Sequence, residues 1–248
     1  MRAFMDRDFL LHTATARTLY HDYAADCPIM DYHNHLNPRE IYQRRRYENL
    51  TQLWLEADHY KWRVMRVCGV PEYYVTGNAP EYEKFEKFAS VLPRLIGSPV
   101  YHWAHLELQR YFDFHKPLNK STAEEAWEVC NAALARDDMS ARNIIRRSNV
   151  TLLCTTDDPI DDLHYHKEIA EDETFDVKVL PAWRPDKAMN LEKENYLDYI
   201  SQLSEASGIS IKCFKDLKDA LIKRMDCFAS MGCTVSDHGL EYVMYQPG

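Results

Sequence analysis

Short apolar runs that each end in polar residues alternate with helical patterns along the chain. From these runs we predict four strands, over 29–33, 149–156, 177–182 and 233–235. Because parallel neighbouring strands need a helix between them, the alternation predicts a parallel sheet in an α/β protein. Active sites of barrels gather at the carboxyl ends of the strands, so the polar residues that follow each run form the first candidate site.

Helical spacing of apolar residues fills most of the remaining chain. An amino-terminal helix is predicted over 6–26. The helices predicted between the first two strands span 38–45, 49–67, 79–96, 101–112 and 122–147. The later ones span 159–171, 192–205 and 211–230. Ser121, with Glu124 three positions on, predicts a capping box at the start of the helix before the second strand.

The predicted architecture is α/β, of the (β/α)8 barrel type, with a helical insertion after the first strand. Residues 1–36 and 149–248 would form the N-terminal half of the barrel, and 37–148 the insertion. About four strands are predicted, half the number that closes such a barrel, which would leave sheet edges uncovered. We therefore expect either an open sheet or a fragment of a barrel.

The composition of the chain limits its expected binding partners and its expected cellular compartment. The formal net charge of −9 argues against nucleic acid, since such proteins usually present a basic face. No run approaches the roughly twenty apolar residues of a membrane span, and the amino terminus is too short and too acidic for a signal peptide. The seven cysteines include no CxxC pair. We expect a cytoplasmic protein without a membrane partner.

The first chemical motif is His33-Asn34-His35, at the end of the first predicted strand. Residues i and i+2 of a strand point the same way, roughly 6.5 Å apart. Two imidazoles so placed can converge on one divalent ion, each through a ring nitrogen at about 2.1 Å. The alternative is a pair of structural histidines. The position after an apolar strand favours the metal interpretation.

Two further histidine pairs are predicted not to bind a metal ion. His164 and His166 fall in a predicted helix, where positions i and i+2 diverge, so they cannot chelate one ion and are predicted to be surface residues. His102 and His105 share a helical face, but the apolar residues around them favour packing.

Other polar clusters are candidates for substrate binding. The cluster 58–63 would place His59 and Tyr60 on a helix, as a substrate-binding lip or as part of an ordinary amphipathic helix. Arg184, after the third strand, offers a planar fork suited to a carboxylate or phosphate. Asp157-Asp158 and Asp237-His238 close the other strands, as polar contacts or as helix caps. Neither a phosphate-binding glycine loop nor a GxSxG elbow is present.

Taken in order, six motifs closely resemble those of the uronate isomerases, the glucuronate isomerases of the amidohydrolase superfamily. The motifs are PIMDYHNHL, WLEADHYKWRVMR, PVYHWAHLEL, LLCTTDDPIDDLHYHK, VLPAWRPDK and CTVSDHGLE. The resemblance runs from about Phe4 to Leu240. A single HxH motif is generic to the superfamily, whereas the ordered set with its helical insertion is specific.

The resemblance implies a (β/α)8 barrel of the metallo-dependent hydrolase type. It implies interconversion of D-glucuronate with D-fructuronate, and of D-galacturonate with D-tagaturonate, by acid/base proton transfer. His33 and His35 match the family's ligands for a divalent metal, zinc. His59 and Tyr60 match its active-site helix contacts, with Tyr60 as the candidate that moves the oxygen proton, and Arg184 matches a substrate-binding arginine.

The resemblance also implies that part of the site lies elsewhere. Members of the family are nearly twice as long, and their later strands carry a further metal-ligand aspartate and other groups that no residue here matches. We therefore expect the carbon base outside these 248 residues, and an inactive, incomplete barrel if they are the whole polypeptide. The alternatives are a metal-dependent hydrolase on the same barrel and a non-catalytic fragment. The expected partner is a hexuronate substrate, with a homo-oligomer left open.

Overall fold

A computed structural model of the chain describes residues 3–239. Their contacts divide them into two compact units. The helical unit contains the described residues up to Cys27 together with Arg45–Ile144. The sheet unit contains Pro28–Arg44 and the described residues from Ile145 onward. These bounds differ from the predicted 1–36 and 37–148 because the amino-terminal segment packs with the helical unit and Pro28–Arg44 with the sheet unit.

Helices make up most of both units. In chain order they are α1 (Ala14–Leu19), α2 (Pro38–Tyr42), α3 (Leu50–Trp54), α4 (His59–Val67), α5 (Glu72–Val75), α6 (Glu81–Val91), α7 (Pro99–Phe112), α8 (Ala123–Leu134), α9 (Ala141–Arg147), α10 (His164–Glu171), α11 (Asp186–Met189), α12 (Tyr196–Ser207) and α13 (Phe214–Ser230). A π-helix over Tyr20–Ala24 continues α1, and 3-10 helices occupy Leu92–Leu95 and Asp137–Met139.

Within residues 3–239, the sheet contains three parallel strands, β1 (Ile29–Asp31), β2 (Val150–Cys154) and β3 (Lys178–Leu180), in the order β1-β2-β3. Met30 pairs with Leu152. The prediction of an α/β protein with a parallel sheet is confirmed, with shorter strands than predicted.

The fourth predicted strand, over 233–235, was wrong as a strand. This segment makes an isolated parallel bridge between Trp183 and Ser236. The Trp183 N–H donates to the Val235 carbonyl oxygen at 3.0 Å. Backbone pairing therefore continues past β3, but it is too short to form a regular ladder.

Buried apolar side chains hold the helices onto the sheet. Ile41 of α2 and Ile169 of α10 pack with Leu153 of β2 and Val179 of β3, and each is at most 5% exposed. Because these strands are covered by helices, their sequences are nearly continuous apolar runs. A second cluster joins α11, α12 and α13 around Leu203, which is fully buried.

The core of the helical unit is rich in aromatic side chains. Phe85 and Phe88 of α6 are fully buried, and the ring of Trp54 lies 6.3 Å from Phe85 and 5.9 Å from Phe88. Ala89 and Leu92 continue the same stripe at helical spacing, which explains why the apolar pattern of this segment predicts a helix.

The amino-terminal helix begins later than predicted, at Ala14 rather than residue 6. Thr13 caps it, because its Oγ1 accepts a hydrogen bond from the Ala16 N–H at 3.0 Å. The preceding residues form turns, in which the Phe9 N–H donates to the Asp6 carbonyl oxygen. Leu10, with φ at 65°, is incompatible with a continuous helix.

Two long predicted helices are each divided. The segment 49–67 breaks after Trp54, because Asp58 caps a new helix. The segment 122–147 breaks between α8 and α9. The Ser121 capping box was wrong, since the Ser121 hydroxyl donates to Asn119 Oδ1 at 2.6 Å while α8 begins after Thr122 without a side-chain cap.

Other helix bounds differ from the predictions at their ends. The predicted 159–171 helix begins at His164, because Leu163 before it has φ at 59°. The segments predicted over 38–45, 79–96, 101–112, 192–205 and 211–230 correspond to α2, α6 with its 3-10 extension, α7, α12 and α13. Within residues 3–239, no helix has both the length and the apolar character needed to cross a bilayer.

Candidate functional site

The segment that follows β1 carries His33 and His35. Because β1 ends at Asp31, both histidines lie beyond the strand rather than in it. Asp31 organises the turn: Oδ1 accepts from the His33 N–H at 3.4 Å, and Oδ2 accepts from Asn34 Nδ2 at 3.1 Å. The two imidazole rings lie 5.0 Å apart with an interplanar angle of 79°.

Asn34 fixes the same segment to the end of β2. Its N–H donates to the Cys154 carbonyl oxygen at 3.2 Å. Its own carbonyl oxygen accepts from Thr156 Oγ1 at 2.7 Å. The middle residue of the HxH motif thus makes backbone contacts that place the flanking histidines at the carboxyl end of the sheet.

Asp237 contacts both His33 and Arg184. Its Oδ2 lies 2.6 Å from His33 Nδ1. Arg184 Nε donates to Oδ1 at 3.0 Å and Nη2 donates to Oδ2 at 2.7 Å, a bidentate pair. Hydrogen bonding and charge from Arg184 hold the pKa of Asp237 below its usual range, and the charge of His33 acts in the same direction. Asp237 is therefore an ionised carboxylate that joins two predicted site residues.

The backbone around Arg184 is held on both sides. The Arg184 N–H donates to the Asp157 carbonyl oxygen at 3.0 Å, and the Asp237 N–H donates to the Trp183 carbonyl oxygen at 3.1 Å. Trp183 is 7% exposed, and its ring packs edge-on against Phe228 of α13 at 5.0 Å. The guanidinium and the carboxylate thus project from adjacent, well-anchored segments.

A second carboxylate, Asp186, lies at the start of α11. Its Oδ1 is 2.8 Å from His238 Nδ1, and its Oδ2 accepts from the Gly239 N–H at 2.6 Å. The sequence predicted Asp237-His238 as a polar contact or a helix cap. The structure shows polar contacts, with the two side chains paired to different partners.

A buried polar network lies under these strand ends. Thr155 Oγ1 donates to Asp157 Oδ2 and lies 2.7 Å from His166 Nε2, with the three residues 5% exposed or less. The Ala182 N–H also donates to Asp157 Oδ2, at 3.1 Å. Burial lowers the pKa of His166 to about 4 and raises the pKa of Asp157.

The predicted surface location of His166 was therefore wrong. The helix does separate His164 from His166, but it turns His166 inward toward Thr155, while the His164 side chain is 56% exposed. The helical face that points inward depends on packing, so the HYH motif alone does not predict which histidine is buried.

Helix α4 of the helical unit begins with His59 and Tyr60, whose rings lie 4.3 Å apart. Asp58 caps the helix by accepting from the Tyr60 and Lys61 N–H groups at 2.9 and 3.3 Å. Lys61, 6% exposed, donates to Asp58 Oδ2 at 2.7 Å. Tyr60 is 45% exposed, with the Arg63 guanidinium 6.0 Å from its ring centroid. The cap and the partly buried ion pair set the orientation of this helix start.

The predicted packing role of His105 is confirmed. His105 is 1% exposed, its Nδ1 lies 2.7 Å from the Tyr101 carbonyl oxygen, and its Nε2 accepts from the Leu118 N–H at 2.8 Å. His102 packs against Phe9, with ring centroids 5.1 Å apart.

The predicted site residues therefore fall into two groups. In the sheet unit, His33, His35 and Arg184 lie at the strand ends, with His33 and Arg184 joined by Asp237. In the helical unit, His59 and Tyr60 are adjacent at the start of α4. The sequence predicted Asp237 only as a polar contact or a helix cap, and it gave no signal that Asp237 pairs with both His33 and Arg184.

A family model described as glucuronate isomerase matches residues 1–248. The chain belongs to the glucuronate isomerase family. Uronate isomerases of Lachnospira eligens and Lachnoclostridium phytofermentans are 62% and 59% identical to it over 247 residues. Each alignment covers 100% of this chain and 53% of the relative, so the chain spans about half the length of the curated relatives it matches.

Solved structures give the same family. The uronate isomerase of Thermotoga maritima matches with a TM-score of 0.89 at 37% identity, over 96% of this chain and 52% of that one. The glucuronate isomerase of Caulobacter crescentus matches with a TM-score of 0.86 at 28% identity, over 96% and 51%. The resemblance carried by the sequence motifs is thus confirmed at the level of the family.

Proposed function

We propose that the polypeptide carrying this chain is an aldose–ketose isomerase of hexuronates. It interconverts D-glucuronate with D-fructuronate, and D-galacturonate with D-tagaturonate, in hexuronate catabolism. The observation that carries the proposal is the glucuronate isomerase family match along the whole chain. The position of Arg184 beyond the end of β3 supports it.

Arg184 is the proposed ligand of the substrate carboxylate. Its side chain is 26% exposed, and its guanidinium donates through Nε and Nη2 to Asp237, so the guanidinium is held in one orientation at the end of the sheet. A planar, permanently charged fork held in this way suits a carboxylate better than a flexible lysine would. The carboxylate distinguishes a uronate from a neutral sugar, so this contact would set the substrate class.

Tyr60 is the proposed group that moves the proton between the substrate oxygens, and His59 is a proposed substrate contact. Isomerisation transfers a proton from C2 to C1 while the carbonyl moves the other way, so it needs an acid at the oxygens and a base at the carbon. Tyr60 is exposed at a capped helix start, where its hydroxyl can reach a ligand. The carbon base is proposed to lie outside the 248 residues.

A divalent metal, zinc, is the proposed cofactor, with His33 and His35 as two of its ligands. Protein zinc sites use three or four protein ligands. Among residues 3–239, no three histidine, cysteine, aspartate or glutamate side chains are placed to hold one ion. The described residues therefore do not fit a complete metal site by themselves.

We also propose that the parallel sheet is the first part of a (β/α)8 barrel of the amidohydrolase superfamily. Helices connect the parallel strands, and the bridge between Trp183 and Ser236 continues the strand order beyond β3. A cytoplasmic location is proposed with it, since the seven cysteines form no disulfide within residues 3–239, as in a reducing compartment.

The test is the conversion of D-glucuronate by the full-length polypeptide, with and without Arg184→Met. Loss of a charged hydrogen-bonding partner should lower kcat/KM for the uronate by about 10- to 100-fold. Arg66→Met is the matched control, because Arg66 makes a similar bidentate pair with Glu72, at 2.8 and 2.6 Å, on the surface of the helical unit. It should retain wild-type turnover.

The products separate the isomerase from the competing hydrolase. An isomerase yields a ketose of unchanged mass, without oxygen from labelled water entering a cleaved bond. Cleaved products carrying the label would replace the proposal by hydrolysis. Unchanged turnover in Arg184→Met would reject only the carboxylate assignment.

A further inference from the structure

Asp237, which is not among the predicted site residues, contacts two residues that are. Its carboxylate receives two donors from Arg184 and lies 2.6 Å from His33 Nδ1. The three side chains come from segments that follow three different extended runs of the chain. A single carboxylate therefore connects the segments that follow β1 and β3 through its two oxygen atoms.

The geometry restrains both partners of Asp237. A bidentate pair fixes the plane of the Arg184 guanidinium, because both donor directions must meet the same carboxylate. A carboxylate at Nδ1 holds the imidazole proton on that nitrogen, which leaves Nε2 as the ring atom that carries the lone pair. Rotation of either side chain would break a charge-assisted hydrogen bond.

Asp237 is itself fixed by the backbone. Its N–H donates to the Trp183 carbonyl oxygen at 3.1 Å, next to the residue whose guanidinium it binds. Its side chain is 29% exposed, compared with 53% for Glu72, which accepts a similar bidentate arginine on the surface. The partly buried location makes the contact with Arg184 less screened by solvent than that surface pair.

We propose that Asp237 is a positioning residue of the isomerase, which orients the His33 imidazole and the Arg184 guanidinium with one carboxylate. This inference rests on the proposed function for its kinetic consequence, but its structural part does not. Asp237 acts through its two partners and is assigned no contact with the substrate. Asp237 thereby restrains two predicted site residues, His33 and Arg184, that are 151 positions apart in the sequence.

The first test reads the proton position on the His33 ring in the full-length polypeptide after treatment with a metal chelator, because an ion bound to the ring would itself fix the proton. It needs no turnover. Nitrogen NMR of ¹⁵N-histidine-labelled protein, with His33→Gln to assign the signal, should show the neutral His33 ring protonated at Nδ1. In Asp237→Asn the ring should lose this preference, whereas Asp219→Asn, which removes a surface carboxylate paired with Lys215, should not change it. A wild-type ring protonated at Nε2 would overturn the proposal.

The second test is kinetic and uses a double-variant comparison. Asp237→Asn should lower kcat/KM for D-glucuronate by about 10- to 100-fold, mainly through KM, because the disordered guanidinium is the proposed carboxylate ligand. In an Arg184→Met background the same change should cost far less, since the group it positions is gone. Equal losses in both backgrounds would overturn the proposal.

The two tests distinguish a failure of the proposed function from a failure of the role proposed for Asp237. If the wild-type polypeptide does not isomerise uronates, the proposed function fails, and the NMR result still decides whether Asp237 orients His33. Asp237→Glu, which retains the carboxylate, should recover part of the lost kcat/KM. If Asp237→Asn does not fold, the wild-type spectrum decides the proposal, and a His33 ring protonated at Nε2 overturns it.

Discussion

Burial gives His166 different chemistry from His164, two residues earlier in the same helix. His166 is 3% exposed against Thr155 and Asp157, and burial lowers its pKa to about 4, with Asp161 acting in the opposite direction. Its ring is therefore neutral in the fold through the range in which an exposed histidine gains a proton. This difference makes the stability of the protein depend on pH.

Between about pH 6.5 and pH 4 the unfolded chain binds a proton at His166 and the folded chain does not. The free energy of unfolding should therefore fall as the pH is lowered through this window, by up to about 3 kcal/mol, and the His166 contribution should level off below pH 4. Chemical denaturation at a series of pH values measures the effect.

His166→Gln should remove this part of the pH dependence, while Asp157 stays in both proteins. His164→Gln is the matched control, because the exposed His164 side chain should leave the slope unchanged. Equal slopes in wild type and His166→Gln would show that the buried ring is not the cause.

Asp58 is the second residue whose effect can be predicted. Asp58→Ala removes the cap of α4 and should lower the free energy of unfolding by about 1 kcal/mol, with an additional loss because buried Lys61 is left without its carboxylate. Asp58→Asn retains the cap and should lie between wild type and alanine. Asp226→Ala, at an exposed position of α13, should change the unfolding free energy by no more than about 0.5 kcal/mol. A larger loss in Asp226→Ala than in Asp58→Ala would contradict the capping role.

At the scale of elements, packing determined which predicted helices stay whole. Helix α6 stays unbroken, as predicted, because Phe85, Phe88 and Leu92 form one buried stripe. The segment 49–67 divides, because the N–H groups of Tyr60 and Lys61 are satisfied by Asp58 rather than by a preceding turn. Apolar spacing therefore predicts where helices lie, and local hydrogen bonding determines where they begin.

The aromatic stripe of α6 gives an element-scale prediction. Phe85→Ala should lower the free energy of unfolding by about 3–5 kcal/mol, since the fully buried ring leaves a cavity beside Trp54 and Trp127. Phe214→Ala, which removes a ring that is 73% exposed at the start of α13, should cost about 0.5 kcal/mol or less. Urea denaturation compares the two, and similar losses would refute the assignment of α6 to the core.

At the scale of the whole molecule, the chain spans about half the length of the relatives it matches. Strand β1 carries exposed apolar residues. Ile29 and Met30 are 49% and 66% exposed, and Tyr32 beyond the strand is 75% exposed. Exposed apolar strand residues of this kind usually mark surfaces that another segment covers. Residues 3–239 do not contain that covering segment.

Residues 1–248 expressed alone should therefore bind a hydrophobic dye more strongly than the full-length polypeptide does. Met30→Lys should reduce dye fluorescence in the short form. Val67→Lys, at a position of α4 that is 80% exposed, should reduce it less. Equal dye binding by the short and full-length forms would show that β1 is not covered in the longer polypeptide.

The sequence by itself determined the α/β class, the family and the positions of His33, His35 and Arg184 at strand ends. These features depend on short-range patterns: apolar runs of strand length, helical spacing between them, and motifs in a fixed order. A period of two or of 3.6 residues is present in the sequence before any tertiary contact forms, and this is why it can be read without a structure.

Only the tertiary structure decided that Asp237 joins His33 to Arg184, and that His166 is buried while His164 is exposed. Both results depend on side chains that are far apart in sequence and on which helical face turns inward. The tertiary structure also decided where the helices begin. It grouped the amino-terminal segment with the helical unit. Contacts of this kind follow from packing and hydrogen bonding between segments, which a one-dimensional pattern does not contain.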